Sequence, residues 1–353
     1  MLKTDIRKLS LEEIIDQTSA FGFEKFRARQ IDDWLWKKSA KSFDEMLNLS
    51  KKHRDILNEN FSILPVTIAE AQRSIDGTFK YALKLHDSKI TEGVLIPTDT
   101  RNTACVSSQI GCSLACTFCA TGKLKMLRNI DSAEIYDQVA LIDAEAEKHY
   151  GKGLTNIVFM GMGEPLLNYK NLLRAIDKIT SPEGLNMASK RITVSTAGIA
   201  KMIRRLGDDQ VKFNLAVSLH AAMDSKRDKI MAINESNNLD ILMDSLKYFY
   251  EKTGNKITFE YILFKGFNDT KEDVRALANL CAQVPAKVNI IEYNTIDDAI
   301  FTKSTQHSTE EFQSFLKYKG VDSQVRKSRG DDIDAACGQL ANKNGAVLKD
   351  GVE

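Results

Sequence analysis

The sequence has no excess of charge of either sign: 49 lysines and arginines stand against 48 aspartates and glutamates, a net charge of +1. A global positive field that advertises a nucleic-acid partner is thereby excluded, and such a partner would have to be held by local patches. No apolar run approaches the roughly 18–20 residues that cross a bilayer; Ile157-Val158-Phe159-Met160 is typical of the runs present. The beginning, Met1-Leu2-Lys3-Thr4-Asp5, passes into alternating charge without an apolar segment, so neither a secretory signal nor a membrane partner is expected. Internal repeats and low-complexity segments are missing as well. With 43% hydrophobic and 27% charged residues, that excludes disordered and fibrous classes. The expectation is a cytoplasmic globular protein of 353 residues, either two domains or one barrel-sized domain with an appendage.

Cysteine is sparse and unevenly placed, with six residues at 105, 112, 116, 119, 281 and 337. An even number permits disulfides, but a chain of this length builds a core without staples. Clustering in a cytosolic protein points instead to metal binding or redox chemistry.

Along the chain, residues 1–62 read as helices without a convincing strand, over Leu11–Ala20, Phe26–Ser39 and Leu49–Phe61. Trp34 fits the apolar face of the second helix and is expected in the core, whereas Trp36 is left open. Residues 63–98 change to extended runs, with Asp76-Gly77 as a hairpin turn between Ala69-Glu70-Ala71 and Phe79-Lys80-Tyr81. From 99 to 353, β-rich runs alternate with helical stretches. The strands are expected at Cys105–Gln109, Asn156–Met160, Arg191–Ser195, Asn214–Ser218, Thr258–Leu263 and Lys287–Ile291. The helices fall near 132–149, 169–180, 198–206, 238–252 and 270–282, the first opened by Asp131 and Glu134 at capping-box spacing. Six βα units imply a parallel sheet, a partial barrel or a doubly wound sheet, with ligands at the C-terminal ends of its strands.

The strongest chemical signal is Cys112-Ser113-Leu114-Ala115-Cys116-Thr117-Phe118-Cys119, in a loop after the first of these strands. Three thiolates from one short loop can hold three irons of a [4Fe–4S] cube and leave the fourth open to a chelating substrate. A zinc site and unrelated core cysteines remain alternatives. Zinc would want a fourth ligand at characteristic spacing, and the nearest downstream histidine is His149. Gly161-Met162-Gly163-Glu164-Pro165 follows the second strand, where glycines let backbone approach a ligand and Glu164 can meet an ammonium. Leu166 takes it out of the dinucleotide fingerprint. Taken alone, a glycine turn with a solvated glutamate explains it as well.

The cysteine run, with Phe118 before its last cysteine, resembles the radical S-adenosylmethionine (SAM) superfamily. The segment Arg326–Leu340, containing Arg329-Gly330-Asp331-Asp332 and Cys337, is similar to the signature of the RlmN family of dual-specificity RNA adenine-C2 methyltransferases. So are Cys105-Val106-Ser107-Ser108-Gln109, Gly161–Asn168 and Phe26-Arg27-Ala28-Arg29-Gln30, so the resemblance spans essentially the whole chain. Thr295 departs from it, standing where the family pattern has proline.

The resemblance implies an α/β fold, a partial (βα)6 radical SAM barrel with an N-terminal helical domain for RNA binding and a connecting β-hairpin. It implies that Cys112, Cys116 and Cys119 hold a [4Fe–4S] cluster. Gly163, Glu164, Ser195, Ser218, Leu219, His220 and Asn294 would contact SAM, used twice per turnover. Cys337 would carry the methyl group as S-methylcysteine, Cys105 would resolve the intermediate through a transient disulfide, and Glu92 would accept the proton. By themselves, Cys105 and Cys337 read as core thiols, Glu92 as a strand-edge carboxylate and His220 as a core histidine; Cys281 matches no motif and reads as core. The implied partners are 23S rRNA at the peptidyl-transferase centre, tRNA at position 37, and an electron donor such as flavodoxin or ferredoxin. Phosphate contacts would come from Lys25, Arg27, Arg29, Lys37, Lys38 and Lys41, from Lys123, Lys125 and Arg128, and from Arg326, Lys327 and Arg329. Each cluster could equally be a solvated face. The rivals are a relative of Cfr, which methylates adenine C8, a non-catalytic iron–sulfur electron carrier and a structural zinc RNA-binding protein.

Overall fold

A computed structural model describes residues 3–341. Three helices open the chain: α1 (Leu11–Ser19), α2 (Lys25–Trp36) and α3 (Lys51–Asn60). Ser10 caps α1 in a reciprocal box with Glu13, so the helix starts where its first orphan amides find an acceptor. The expectation of no strand in this region is corrected by a short parallel pairing of Thr4–Asp5 with Phe61–Ser62, which brings the two ends of the helical domain together.

Ten strands then form one open sheet in strict chain order. They are β1 (Thr67–Arg73), β2 (Phe79–Lys84), β3 (Ile90–Pro97), β4 (Asn102–Cys105), β5 (Asn156–Phe159) and β6 (Ile192–Thr196). The remainder are β7 (Asn214–Ser218), β8 (Ile257–Leu263), β9 (Ala286–Glu292) and β10 (Asp322–Arg326). Strands β1 to β4 form an antiparallel meander, and β4 to β10 are parallel. The 63–98 segment is therefore built into the barrel sheet rather than being a linker beside it. The expected strand over Cys105–Gln109 ends at Cys105, and Gln109–Ile110 pairs instead with Arg128–Asn129.

Helices α4 (Ser132–Tyr150), α5 (Tyr169–Thr180) and α6 (Ala200–Asp208) follow β4, β5 and β6, α7 (Asp224–Ile230) and α8 (Leu239–Thr253) both follow β7, and α9 (Lys271–Cys281) and α10 (Gln306–Tyr318) follow β8 and β9. The Asp131/Glu134 capping box is present at the start of α4. Six βα units were expected, and α10 with β10 adds a seventh parallel strand.

The helical domain is bolted to α4 and α5. Arg7 places Nη1 2.7 and 2.8 Å from the two carboxylate oxygens of Asp137 on α4, and it also bonds Asp5. Arg174 on α5 donates to the carbonyls of Arg7, Lys8 and Leu9. Trp36, not Trp34, is the core tryptophan: it is 1% exposed and meets Tyr136 edge-on with ring centres 5.0 Å apart. Trp34 is half-buried, with its indole N–H on Asn48. Because Asp137 is buried, Arg7→Ala would leave an uncompensated carboxylate. The expected loss is about 3–5 kcal/mol, read as a lower urea midpoint with an unchanged slope.

Candidate functional site

The chemistry-bearing residues gather where the parallel strands end, around two adjoining cavities of about 150 and 470 Å³. Cys112, Cys116 and Cys119 all line the smaller one, on the loop between Ile110 and a short helical turn, Ala120–Lys123. Thr117 N donates to Ile230 O, fastening the loop to α7. Gly122 packs so closely that a Cβ there would stand 2.6 Å from the Cys116 carbonyl oxygen. All three are free thiols, and burial pushes the Cys116 and Cys119 thiols up from their ordinary values. A positive metal would reverse that by stabilising the thiolates. Three soft sulfur donors converging on one cavity, with no fourth thiol on the loop, suit an iron–sulfur cluster with one open position.

Opposite the cysteines lie Gly163, Glu164, Ser195, Ser218 and His220, each after or at the end of β5, β6 or β7. Glu164 is buried, and its two carboxylate oxygens accept from Leu166 N at 3.0 Å and Ala197 N at 2.8 Å. Burial pushes its acid up to about 7 against those donors. The glycines serve a purpose that the motif alone does not convey. A Cβ on Gly161 would lie 2.6 Å from Ser107 Oγ, and one on Gly163, at φ +92°, 2.4 Å from Gln109 Cβ. They let the turn pack against the 106–109 segment while both glycines line the smaller cavity.

His220 is neutral, because burial drives its pKa down to about 3. Its Nδ1 accepts from Ile262 N at 3.2 Å, which leaves the proton on Nε2. Leu219 is fully buried, lines neither cavity and packs in the main core, with its N–H on the Glu260 carbonyl and its own carbonyl on Arg227. Asn294 borders the larger cavity, and its Nδ2 donates to the Cys337 carbonyl at 3.1 Å.

The larger cavity runs into the sheet and is lined by Cys105, Glu260, Asn289, Gln324, Arg326 and Cys337 among others. Cys337 is exposed, and it opens on both cavities. Burial, followed by the Cys337 charge, pushes Cys105 up to about 12, and both thiols line this cavity. Arg326, named in the sequence as part of a basic surface cluster, is instead held in the cavity by Glu260 at 3.1 Å. There its charge favours the Cys337 thiolate. Arg128 is likewise engaged, by Asp87 and Glu134.

Glu92 is buried on β3, with Lys80 Nζ 3.8 Å away. It shares a strand face with Val94, which pairs with Cys105, and with Ile96 on the cavity wall, but lines neither cavity itself. Cys281 is half-buried at the end of α9, in contact with the core.

Two residues that sequence reasoning passed over stand out. Glu260 lines both cavities; a carboxylate inside the mostly apolar strand Ile257–Leu263 was the available signal. Arg227 is completely buried and donates to the carbonyls of Ala197, Ser218 and Leu219, tying the ends of β6 and β7 together. Nothing in its local sequence marks it.

The family model of the radical SAM superfamily matches residues 106–281, and that of the ribosomal RNA large subunit methyltransferase N-terminal domain matches residues 4–63. A probable dual-specificity RNA methyltransferase RlmN of Cytophaga hutchinsonii is 58% identical over 341 residues, covering 97% of this chain and 93% of its own. The chain belongs to the RlmN family. A second RlmN relative, from Christiangramia forsetii, is 54% identical over 97% of both chains. A radical SAM methyltransferase from Sphaerobacter thermophilus superposes with a TM-score of 0.91 at 36% identity, covering 96% of this chain and 99% of that one. Membership makes this an RNA methyltransferase of the radical SAM type, and SAM with a [4Fe–4S] cluster is what the superfamily uses. Among the described residues no helix is long and apolar enough to cross a membrane.

Proposed function

We propose that this RlmN-family chain methylates C2 of adenine in 23S rRNA and in tRNA beside the anticodon, through an S-methylcysteine at Cys337 and a covalent protein–RNA intermediate. The observation that carries this reading is the position of Cys337, open both to the cysteine-loop cavity and to the cavity that holds Cys105. A carrier that collects a methyl group at one site and delivers it at another needs access to both.

Adenine C2 lies between two ring nitrogens and is electron-poor, so the electrophilic methyl group of SAM cannot add to it directly. Held by Cys112, Cys116 and Cys119, a [4Fe–4S] cluster supplies the electron that cleaves SAM to a 5′-deoxyadenosyl radical. Gly163, Glu164, Ser195, Ser218, Leu219, His220 and Asn294 bind that SAM, and Asn294 also steadies the Cys337 loop. The Cys337 thiolate first attacks the methyl carbon of one SAM, so the S–CH3 bond to Cys337 forms as S-adenosylhomocysteine leaves. After its S-methyl carbon has lost a hydrogen atom to the radical from a second SAM, that carbon bonds to C2. The adduct radical then loses the C2 proton to Glu92 and one electron to the external redox partner, which regains the electron spent on cleaving SAM. Cys105 thiolate attacks the Cys337 sulfur, so the carbon–sulfur bond breaks, the released CH2 carbon keeps the electron pair and takes up a proton, methylated RNA departs and a disulfide remains. A base buried this deeply must be presented unstacked, from a loop or by flipping. An external donor such as flavodoxin or ferredoxin supplies the electron.

The test is anaerobic turnover with rRNA and tRNA followed by nucleoside mass spectrometry. The expected product in both is 2-methyladenosine. A methyl group at C8 would assign the Cfr-type reaction instead, and unmodified RNA with a reducible cluster would leave an electron carrier.

A further inference from the structure

The turn between β1 and β2 and the loop that carries Cys337 come from opposite edges of the open sheet, β1 and β10. They are nevertheless fastened to each other. Ser74 Oγ donates to Asp332 Oδ1 at 2.6 Å, across 258 positions of sequence, and Ile75 N donates to the other oxygen at 3.1 Å. In the reverse direction Gly330 N donates to Asp76 Oδ2 at 3.0 Å, and the Arg329 guanidinium donates to the Asp76 carbonyl at 3.3 Å.

The turn is preorganised for this. Ser74 Oγ also accepts from Asp76 N, and Asp76 Oδ1 from Thr78 N, so both side chains are aimed before the loop arrives. The fit is steric as well as polar. Gly330 sits at φ +70°, and a Cβ there would stand 2.8 Å from Ala335 Cβ and 2.9 Å from Thr78 Cγ2. The donors from Ser74 and Ile75 hold the Asp332 carboxyl below its ordinary value. Nearer the cysteine loop the same segment has separate anchors: Ala120 N on the Gly338 carbonyl and Thr121 Oγ1 on the Leu340 carbonyl. The loop is thus stretched between two attachments with Cys337 between them. Neither family model covers residues 64–105, where the turn lies.

We propose that the Ser74–Thr78 turn is a clasp that positions the Cys337 loop, with Ser74, Asp76 and Asp332 as its positioning residues. This rests on the reading of Cys337 as the methyl carrier. The clasp ties the loop across the open side of the sheet, so that Cys337 faces both cavities instead of swinging with the chain after β10. It touches no reacting atom. Opening it should harm the transfer to RNA while leaving SAM cleavage and global stability as they were.

The test uses the cluster-loaded enzyme with Ser74→Ala, Asp332→Ala, the double variant and Ser74→Thr, which keeps the hydroxyl. Trypsin should cut after Lys327 or Arg329 roughly tenfold faster in both alanine variants, and kcat for RNA methylation should fall roughly tenfold or more, since small misplacements of reacting groups cost that much. The KM for RNA, RNA-free SAM cleavage and the melting midpoint should stay at wild-type values. The double variant should be no worse than the more severe single one, because the two residues share one bond. Ser74→Thr should restore both readouts. Unchanged proteolysis overturns the clasp, and faster proteolysis with unchanged kcat overturns its positioning role. Cys337→Ala in the same assay keeps the two ideas apart: if it still methylates, the carrier reading fails whatever the clasp variants do.

Discussion

Replacing Cys337 with alanine should abolish methylated product altogether, and replacing Cys105 should trap the enzyme on its RNA. The two outcomes differ because the two thiols act at different stages. Without Cys337 there is no sulfur to receive the first methyl group, so neither product nor adduct forms. Without Cys105 the carrier is loaded and the carbon–carbon bond to adenine is made, but nothing attacks the Cys337 sulfur to release it. A Cys105→Ala enzyme should therefore accumulate a protein–RNA species that survives denaturation and reducing agent, with the nucleotide mapped to Cys337 by peptide mass spectrometry. The wild-type release step should also speed up as pH rises. Burial pushes the Cys105 thiol up to about 12, and well below its pKa each pH unit gives about tenfold more thiolate. Normal turnover by Cys105→Ala, or residual methylation by Cys337→Ala, would remove the covalent route and leave only a radical SAM enzyme of another mechanism.

Much of this arrangement is legible in the chain, and what is not has identifiable causes. Helix α4 is readable from its capping box, and β7 from an apolar run bounded by polar residues, because local physics there agrees with the fold. Strand β10 is not, because Asp322-Ser323-Gln324-Val325-Arg326 contains one apolar residue. Its Gln324 and Arg326 bond Asn289 and Glu260 in the cavity, so the strand is built to serve a polar network rather than a core. Trp34 and Trp36 lie about 200° apart around the helix, so periodicity separates them, but it picks Trp34 for the apolar face whereas the fold buries Trp36 against Tyr136. The cysteine loop and Cys337 are marked by motifs, whereas Arg227 and Glu260 are tied to partners that only the folded sheet brings near. Asn294 falls in the expected motif but turns toward the Cys337 loop. Spacing identifies which residue carries chemistry more readily than which neighbour it faces.

Cys116→Ala should cost the enzyme its cluster, and with it all SAM cleavage, while the protein itself stays folded. Cys116 is the middle one of three thiols on one loop, and its loss leaves two sulfur ligands where three irons need them. The side chain borders the cavity and a satellite cluster with Phe118 and Met231 rather than the main core. Trimming it to a methyl group should therefore shift stability by no more than about 1–2 kcal/mol, in the range of ordinary single substitutions. The expected result after anaerobic reconstitution is a colourless protein with little bound iron, no 5′-deoxyadenosine formed from SAM under reducing conditions, and a far-UV spectrum like that of the metal-free wild type. The same experiment separates the iron reading from a zinc one. Wild-type protein should take up about four irons and turn brown, whereas a structural zinc site would bind one colourless ion whose removal unfolds its loop. If Cys116→Ala keeps a full brown absorption and cleaves SAM at the wild-type rate, the cluster is held elsewhere, and the cysteine loop loses the role argued for it.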